Sequence, residues 1–190
     1  MTGDDAVLVR RAQTGDKLAF GELVRRYQRP VYGFVYRLTQ DQDAAEDVAQ
    51  EVFVRAWSYL HRFDAERPFK PWLYRIAANR CASRHERQAG RVTVGLEDMD
   101  SEPAAADNPA GDAERAELAA KVREAVAELS VQQRQAIALV ELDGQSANEA
   151  AEVMGCSPAT VRQHIFRGKK RLKQLLSGYL FGGRDGDEDG

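Results

Sequence analysis

The chain has 190 residues, 43% of them hydrophobic and 30% charged, with 27 basic and 30 acidic side chains and a net charge of −3. This composition predicts a soluble globular protein of one medium domain or two small ones. It has no apolar run of membrane-spanning length, and "MTGDDAVLVRRAQ" carries charges where an export signal needs an apolar core. Cys81 and Cys156 lie outside any metal-ligand spacing and are expected to be ordinary thiols of a reducing cytoplasm.

Charge is segregated along the chain. Residues 1–91 hold 16 basic and 12 acidic side chains, whereas 92–117 hold one and eight. Residues 118–181 return to nine basic and six acidic, and the tail 182–190 holds one and four. Two basic bodies are thus separated by an acidic strap and followed by an acidic end.

The first predicted helix follows an N-cap at Asp16, with Ala19, Phe20, Leu23, Val24 and Tyr27 on one apolar stripe. Pro30 is expected to kink or restart it, with Val31, Phe34, Val35 and Leu38 continuing the pattern. A helix over 43–60 turns Ala45, Val48, Val52, Ala56 and Leu60 inward. Another is expected from Pro71, at the N1 position, through "WLYRIAANRCASRHERQ". About four helices then pack as a small bundle over residues 1–91. The strap, 92–113, is poor in apolar residues and reads as a linker.

The C-terminal body, 114–181, is punctuated sharply. "AELAAKVREAVAEL" is one helix, and Ser130 with Gln133 forms a capping box for "VQQRQAIALVEL". Asp143-Gly144 ends that helix. Ser146 with Glu149 caps "ANEAAEVM", Gly155 closes it, and Ser157 caps a third helix with Pro158 at N1. The last two helices read as a helix-turn-helix. The tail, 182–190, is expected to be disordered.

The second helix of that unit lies in "SPATVRQHIFRGKKRL", which holds five Lys or Arg residues and no acid. Val161, Ile165, Gly168, Leu172 and Leu175 share its core face. Ala159, Gln163, Phe166, Arg167, Lys170 and Gln174 fall opposite, with Arg162 and Lys173 on the flank. A basic helix alone is usually just a solvated surface. A capped first turn of small residues after a tight turn fits a DNA major groove instead. Ser157 sets the start, Ala159 and Thr160 allow close approach, and Arg162 and Gln163 bear donors for guanine and adenine edges. Arg167, Lys169, Lys170 and Arg171 suit phosphates.

In the first body, Asp43, Glu46, Asp47, Gln50 and Glu51 project from the apolar stripe of helix 43–60, a face that on the residues alone reads as a solvated acidic surface. Phe53 and Trp57 are read as core. The following helix carries Lys70, Arg75, Arg80, Arg84 and Arg87 among the aromatics Trp72 and Tyr74, with Asn79 and Gln88 able to read base edges. Cations interleaved with aromatics suit single-stranded DNA. Trp72 stays open between core and DNA wedge, and Ile76 and Ala77 are core.

"DAAEDVAQEVFVRAW" with "FDAERPFKPWLYRIAANRCASRH" resembles region 2 of the sigma-70 family, in particular its extracytoplasmic-function (ECF) group. "ELDGQSANEAAEVMGCSPATVRQHIFRGKKRL" resembles that group's region 4. The resemblance spans roughly residues 5–90 and 114–176, in the family's order and spacing. It implies an all-α protein of two small helical domains, region 2 and region 4, joined by the acidic linker. It implies no enzyme, no cofactor and no metal, but a dissociable subunit that gives core RNA polymerase, through its β′ and β subunits, specificity for promoter DNA. Asp43, Glu46, Asp47, Gln50 and Glu51 would dock on a β′ coiled coil. Lys70, Trp72, Asn79, Arg80, Arg84, Arg87, Gln88 and Arg91 would hold the melted minus-10 strand, with a flipped base trapped beside loop 86–92. Ser157, Ala159, Thr160, Arg162, Gln163, Phe166, Arg167, Lys170 and Arg171 would hold the minus-35 duplex. An anti-sigma factor is an expected partner, and the location cytoplasmic or, when so held, at the inner membrane face.

The chain departs from the family's pattern at three places. Ala147 stands where an aromatic is frequent, Ala150 where Ile is frequent, and Ala159 where Gly is frequent. The first two remove apolar volume beneath the recognition helix. The rival reading is an operator-binding regulator, which the stripe "EDVAQEVF" argues against. An enzyme is disfavoured because no nucleophile–base pair, phosphate loop or metal constellation occurs and His61, His85 and His164 are scattered.

Overall fold

The computed structural model describes residues 2–89 and 109–181. Most of the strap, Arg91 and the acidic tail therefore lie outside the described residues. Every element among them is helical.

The N-terminal body holds α1 (Thr2–Gln13), α2 (Lys17–Thr39), α3 (Gln42–Tyr59), a single 3-10 turn (Leu60–Arg62) and α4 (Phe69–Ala89). The expected count of four helices is met with different members. Pro30 does not divide α2, because its ring faces solvent while Ala19, Leu23, Val31, Phe34, Val35 and Leu38 lie buried along one side. Continuous burial of that stripe outweighs the loss of one backbone hydrogen bond. The fourth helix is α1, which the sequence reading passed over. Leu8, Val9 and Ala12 are its buried face. Arg26 anchors it by Asp4 at 2.5 Å and Asp5 at 3.0 Å, and Tyr27 donates its hydroxyl to Asp5.

Asp16 caps α2 by accepting from Leu18 and Ala19, and Asp41 caps α3 by accepting from Ala44. α4 starts at Phe69, two residues before Pro71, because Phe69 is itself core, 5.8 Å from Phe63 and 5.5 Å from Tyr27.

The C-terminal body holds α5 (Pro109–Ala127), α6 (Val131–Ile137), α7 (Ala147–Met154) and α8 (Pro158–Phe181). α5 begins inside the last residues of the stretch read as linker, with Pro at its first position. Both predicted capping boxes form, Ser130 with Gln133 and Ser146 with Glu149. α6 runs into one π-helical turn, Ala138–Leu142. Gly155 closes α7 at φ 66°, a left-handed conformation that a side chain resists. Gly168 serves closeness rather than conformation, since a Cβ there would meet Ile137 Cδ1 of α6 at 2.7 Å. Val161 is fully buried on the predicted core face of α8, whereas Leu175 is more exposed than expected.

The two bodies touch. α7 packs on α4 as well as on α8, and α6 packs on α2. Arg134 of α6 donates to the carbonyl of Leu38 at 2.8 Å, and Gln135 donates to that of Ala78 at 3.3 Å. Both side chains are buried, and one apolar cluster includes residues of both bodies. Asp143, just before the tight turn, accepts from Arg37 of α2, and its charge lies close enough to Tyr74 of α4 to add to the effect of burial in raising that phenol. Ala150 is fully buried and Ala147 packs on the same cluster, so their small size falls in the close-packed interior.

Ser146's backbone N–H and hydroxyl hold the Glu149 carboxyl below its usual 4.5, with Lys70 across the seam adding to the effect. A lowered folded value stabilises the protein fully above the unfolded value and ceases to do so as pH falls through the folded one. Ser146→Ala is expected to cost about 1 kcal/mol. Glu149→Gln should flatten the stability profile below pH 4.5. Urea unfolding at a series of pH values measures both.

Candidate nucleic-acid and partner interfaces

On α3, the caps and burial of Ala44, Ala45, Val48, Ala49, Val52 and Ala56 force the intervening positions outward. Asp43, Glu46, Asp47 and Gln50 are exposed, as the periodicity requires. Glu51 differs, because it is half-buried between two arginines, Arg80 of α4 at 2.6 Å and Arg55 at 3.3 Å. Burial acts to raise its pKa, but these two guanidiniums outweigh it and hold the carboxyl below its ordinary value. A residue assigned to the partner face and one assigned to DNA are thus joined to each other.

Beside the acidic face runs an open groove of about 770 Å³, which the sequence reading missed. Val24, Arg29 and Tyr32 of α2 form one wall, and Ala49, Phe53 and Val54 of α3 the other, with Glu46 and Gln50 at its edge. Val54 is 65% exposed. An apolar residue one helical turn after Gln50, off the core stripe, was the available signal. Phe53 therefore belongs to the groove as well as to the core, and Trp57, 38% exposed, packs at a tilt against Phe20 with ring centres 4.9 Å apart. A smaller apolar groove lies where the C-terminal body meets the end of α2, among Val122, Val126, Leu129, Ile137, Leu142 and Leu172, with Arg37 and Gln40 of α2 also on its wall.

α4 divides its basic and aromatic residues. Tyr74 is fully buried, 4.8 Å from Phe34, and takes no part in a stacking surface, contrary to its place in the aromatic–basic pattern. Lys70 lies 5.2 Å from the centre of the Tyr74 ring. Trp72 is half-buried against Phe63 at 4.6 Å and Phe69 at 5.6 Å, and forms one wall of a cleft of about 260 Å³ with Arg62, Arg67, Arg75 and, from α7, Glu152. Asn79 and Arg75 are exposed, and no ion pair engages Arg75 among the described residues. Arg84 lies in a second cleft, about 150 Å³, shared with Val131 and Arg134 of α6. Arg87 and Gln88 lie in the last turns of α4, where their side chains are outside the described residues.

On α8, Ser157 accepts from the Thr160 backbone N–H at 3.1 Å, which fixes where the first turn begins. Ser157, Ala159, Arg162, Gln163, Phe166, Arg167 and Lys170 are all exposed, and Phe166 is 69% exposed. Arg171 instead holds Glu128 at 3.2 Å and Lys169 holds Glu141 at 2.7 Å. Arg162, Arg167 and Lys170 make no ion pair among the described residues, so a polyanion meets them without breaking one. No group of three or more metal-ligating side chains occurs among the described residues.

This is a two-body helical protein whose second body presents, after a tight turn, a capped helix with three exposed cations that make no ion pair among the described residues. The pattern of Sigma-70 region 2 matches residues 23–91, and that of Sigma-70 region 4 matches residues 119–172. The chain belongs to the sigma-70 family, within its ECF group. It is 36% identical to the RNA polymerase sigma-H factor of Pseudomonas aeruginosa, over 93% of this chain and 95% of that protein. It is 37% identical to the ECF RNA polymerase sigma-E factor of Escherichia coli K12, over 88% and 92%. Among solved structures it resembles the sigma factor RpoE of Bartonella quintana, crystallised with the anti-sigma factor NepR. That likeness has a TM-score of 0.65 and 26% identity over 83% of this chain and 96% of that one.

The Glu51–Arg80 contact is predicted to be structural. Arg80→Ala should cost about 1 kcal/mol, because it leaves a half-buried carboxylate short of a donor. A double-mutant cycle with Glu51→Gln, read by chemical denaturation, should recover part of that loss as coupling.

Proposed function

We propose that the protein docks on core RNA polymerase through the α2–α3 groove and its acidic rim, reads the minus-35 element as duplex with α8, and holds the melted minus-10 strand on α4. The observation that carries the reading is the exposure of two chemically distinct surfaces within one chain. One is an apolar groove edged by Glu46 and Gln50, with Asp43 and Asp47 on the same helix, and the other is the unpaired Arg162, Arg167 and Lys170 beside Ala159 and Gln163. An apolar groove with an acidic rim suits a partner helix whose apolar ridge is flanked by bases.

The functional boundaries follow the predicted division: region 2 over 1–91, linker over 92–113, region 4 over 114–181 and an acidic tail. The smaller apolar groove, walled mainly by region 4 with Arg37 and Gln40 of α2 at its edge, supplies a second polymerase contact, to β. On α8, Arg162 and Gln163 read bases, while Arg167 and Lys170 grip phosphates. Lys169 and Arg171 serve their own domain first. Regulation by an anti-sigma factor is supported by the related RpoE, solved with NepR. Such a partner would cover the polymerase-facing surfaces and hold the protein in the cytoplasm or at the inner face of the membrane.

Two outcomes test the reading. Asp47→Arg combined with Gln50→Arg should abolish co-elution with core polymerase while leaving the unfolding midpoint in place, because both side chains are exposed. Retained co-elution would remove α3 from the docking surface. In reconstituted holoenzyme, Arg162→Ala should weaken binding to a specific promoter duplex by about 1–3 kcal/mol and relax discrimination at one base pair. Lys170→Ala should weaken all duplexes alike and reduce the salt slope by about one. Footprint titration on matched and substituted promoters separates the two.

A further inference from the structure

Arg84 of α4 and Arg134 of α6 stand on the wall of one cleft of about 150 Å³, closed on its other sides by the end of α2 and the start of α3. Arg134 is only 9% exposed. Its Nη1 donates to the Leu38 carbonyl, while its Nε is buried without a partner. Nε of Arg84 is buried and unpartnered in the same way. Neither guanidinium pairs with an acid among the described residues. Both, together with Arg80, lie close enough to the buried thiol of Cys81, on the same wall, to oppose the rise that burial gives it. Arg80 is balanced by Glu51, so Arg84 and Arg134 carry the surplus charge. Desolvated cations without a counter-charge are unfavourable, and one anion between two of them relieves both.

The remaining polar groups of the wall narrow the class of anion. Asp41 is the one acid among the lining residues; its Oδ1 accepts from the Ala44 N–H, and a carboxylate has further lone pairs to offer. Thr39 gives its hydroxyl hydrogen to the carbonyls of Val35 and Asp41, so toward the cleft it can only accept. Two groups that only donate and two that only accept thus line one small space. Sulfate has acceptor oxygens alone, which suit the arginines but are repelled by Asp41. Inorganic phosphate keeps a proton at neutral pH, so it can accept from both arginines and donate to Asp41 or Thr39. A phosphodiester of DNA has no such proton. The cleft is also well below the roughly 300–1,000 Å³ of sites that enclose drug-sized ligands, which leaves no room for a nucleoside.

We propose that the Arg84–Arg134 cleft binds inorganic phosphate, held by the two guanidiniums and selected over sulfate by Asp41 and Thr39. The ion would join α4 to α6 and stabilise the folded protein by mass action. The site stands whether or not α4 also holds a DNA strand.

Calorimetry on the full-length free protein tests this, with sodium phosphate, sulfate or chloride added at equal ionic strength and neutral pH. Phosphate should bind with one ion per chain and at least about tenfold more tightly than sulfate. At ten times its Kd it should raise the unfolding midpoint by roughly 3–6 °C. Arg84→Gln, a change at a half-buried position outside the apolar core, should weaken phosphate binding by about tenfold. Asp41→Asn keeps a good N-cap but removes the charge. It should narrow the advantage of phosphate over sulfate to about threefold or less, a change that a purely structural role of Asp41 does not produce. Cys81, 5% exposed on the cleft wall, reports the location. Its alkylation, separated from that of Cys156 by mass spectrometry, should slow in phosphate in the parent and not in Arg84→Gln. Equal responses to the three salts would reduce the effect to ionic strength and overturn the site. Phosphate binding that persists in Arg84→Gln, with Cys81 unprotected, would place the ion elsewhere and overturn it too. A preference for phosphate that survives Asp41→Asn would overturn the basis of selection.

Discussion

A guanidinium buried between two domains decides much of this structure. Arg134 is 9% exposed and reaches from α6 to the carbonyl of Leu38 at the end of α2. No acid pairs with it among the described residues. A cation taken out of water without a counter-ion costs several kcal/mol unless dipoles replace its hydration. Here the C-terminal end of α2 supplies those dipoles, so Arg134 is tolerable while the two domains remain in contact. Burial lowers its pKa, the direction expected of a desolvated cation. The same contact brings α7 onto α4 and fixes which surfaces face outward. Once those domains meet, the α2–α3 groove, the N-terminal turn of α8 and Arg75 and Asn79 of α4 remain exposed, whereas Arg84 shares a cleft with α6.

The arrangement separates two tasks by chemistry. The α2–α3 groove, the surface proposed for the partner, combines apolar walls with a rim of Glu46 and Gln50, which would give it area for affinity and charge for orientation. The exposed face of α8 carries Phe166 with three cations that make no ion pair among the described residues, so in the proposed reading its affinity for a duplex is salt-dependent and its specificity rests on Arg162 and Gln163. Cations of the same helix that touch their own domain are tied down, Lys169 to Glu141 and Arg171 to Glu128. Position along α8, rather than residue type, decides which base is structural and which is presented.

Much of this was legible in the sequence because it is local. A cap involves residues three apart, and both capping boxes, the Asp16 cap and the Gly155 stop formed where spacing placed them. The exposed side of α3 followed from a stripe of one period, and the reader turn of α8 from Ser157, Pro158 and small residues after a tight turn. What escaped depends on partners distant in sequence. Nothing near Pro30 says that Val31 and Phe34 will be buried firmly enough to keep α2 continuous. α1 has a weak stripe and is held by Arg26, 21 and 22 positions away. The Glu51–Arg80 pair, the burial of Tyr74 beside Phe34 and Asp143, and the seam itself arise only when separate helices meet. Helix periodicity could identify Tyr74 as aromatic beside bases, but not which way a helix would be covered from outside.

The central claim is that these surfaces make the chain a specificity subunit for RNA polymerase. Run-off transcription with purified core polymerase on fragmented genomic DNA, with 5′ ends mapped, tests it most directly. The account predicts that adding the protein creates a discrete set of start sites, and that the DNA upstream of them shares two motifs at constant spacing. Transcripts no different from those of core polymerase alone, or start sites without a common pair of motifs, would contradict it.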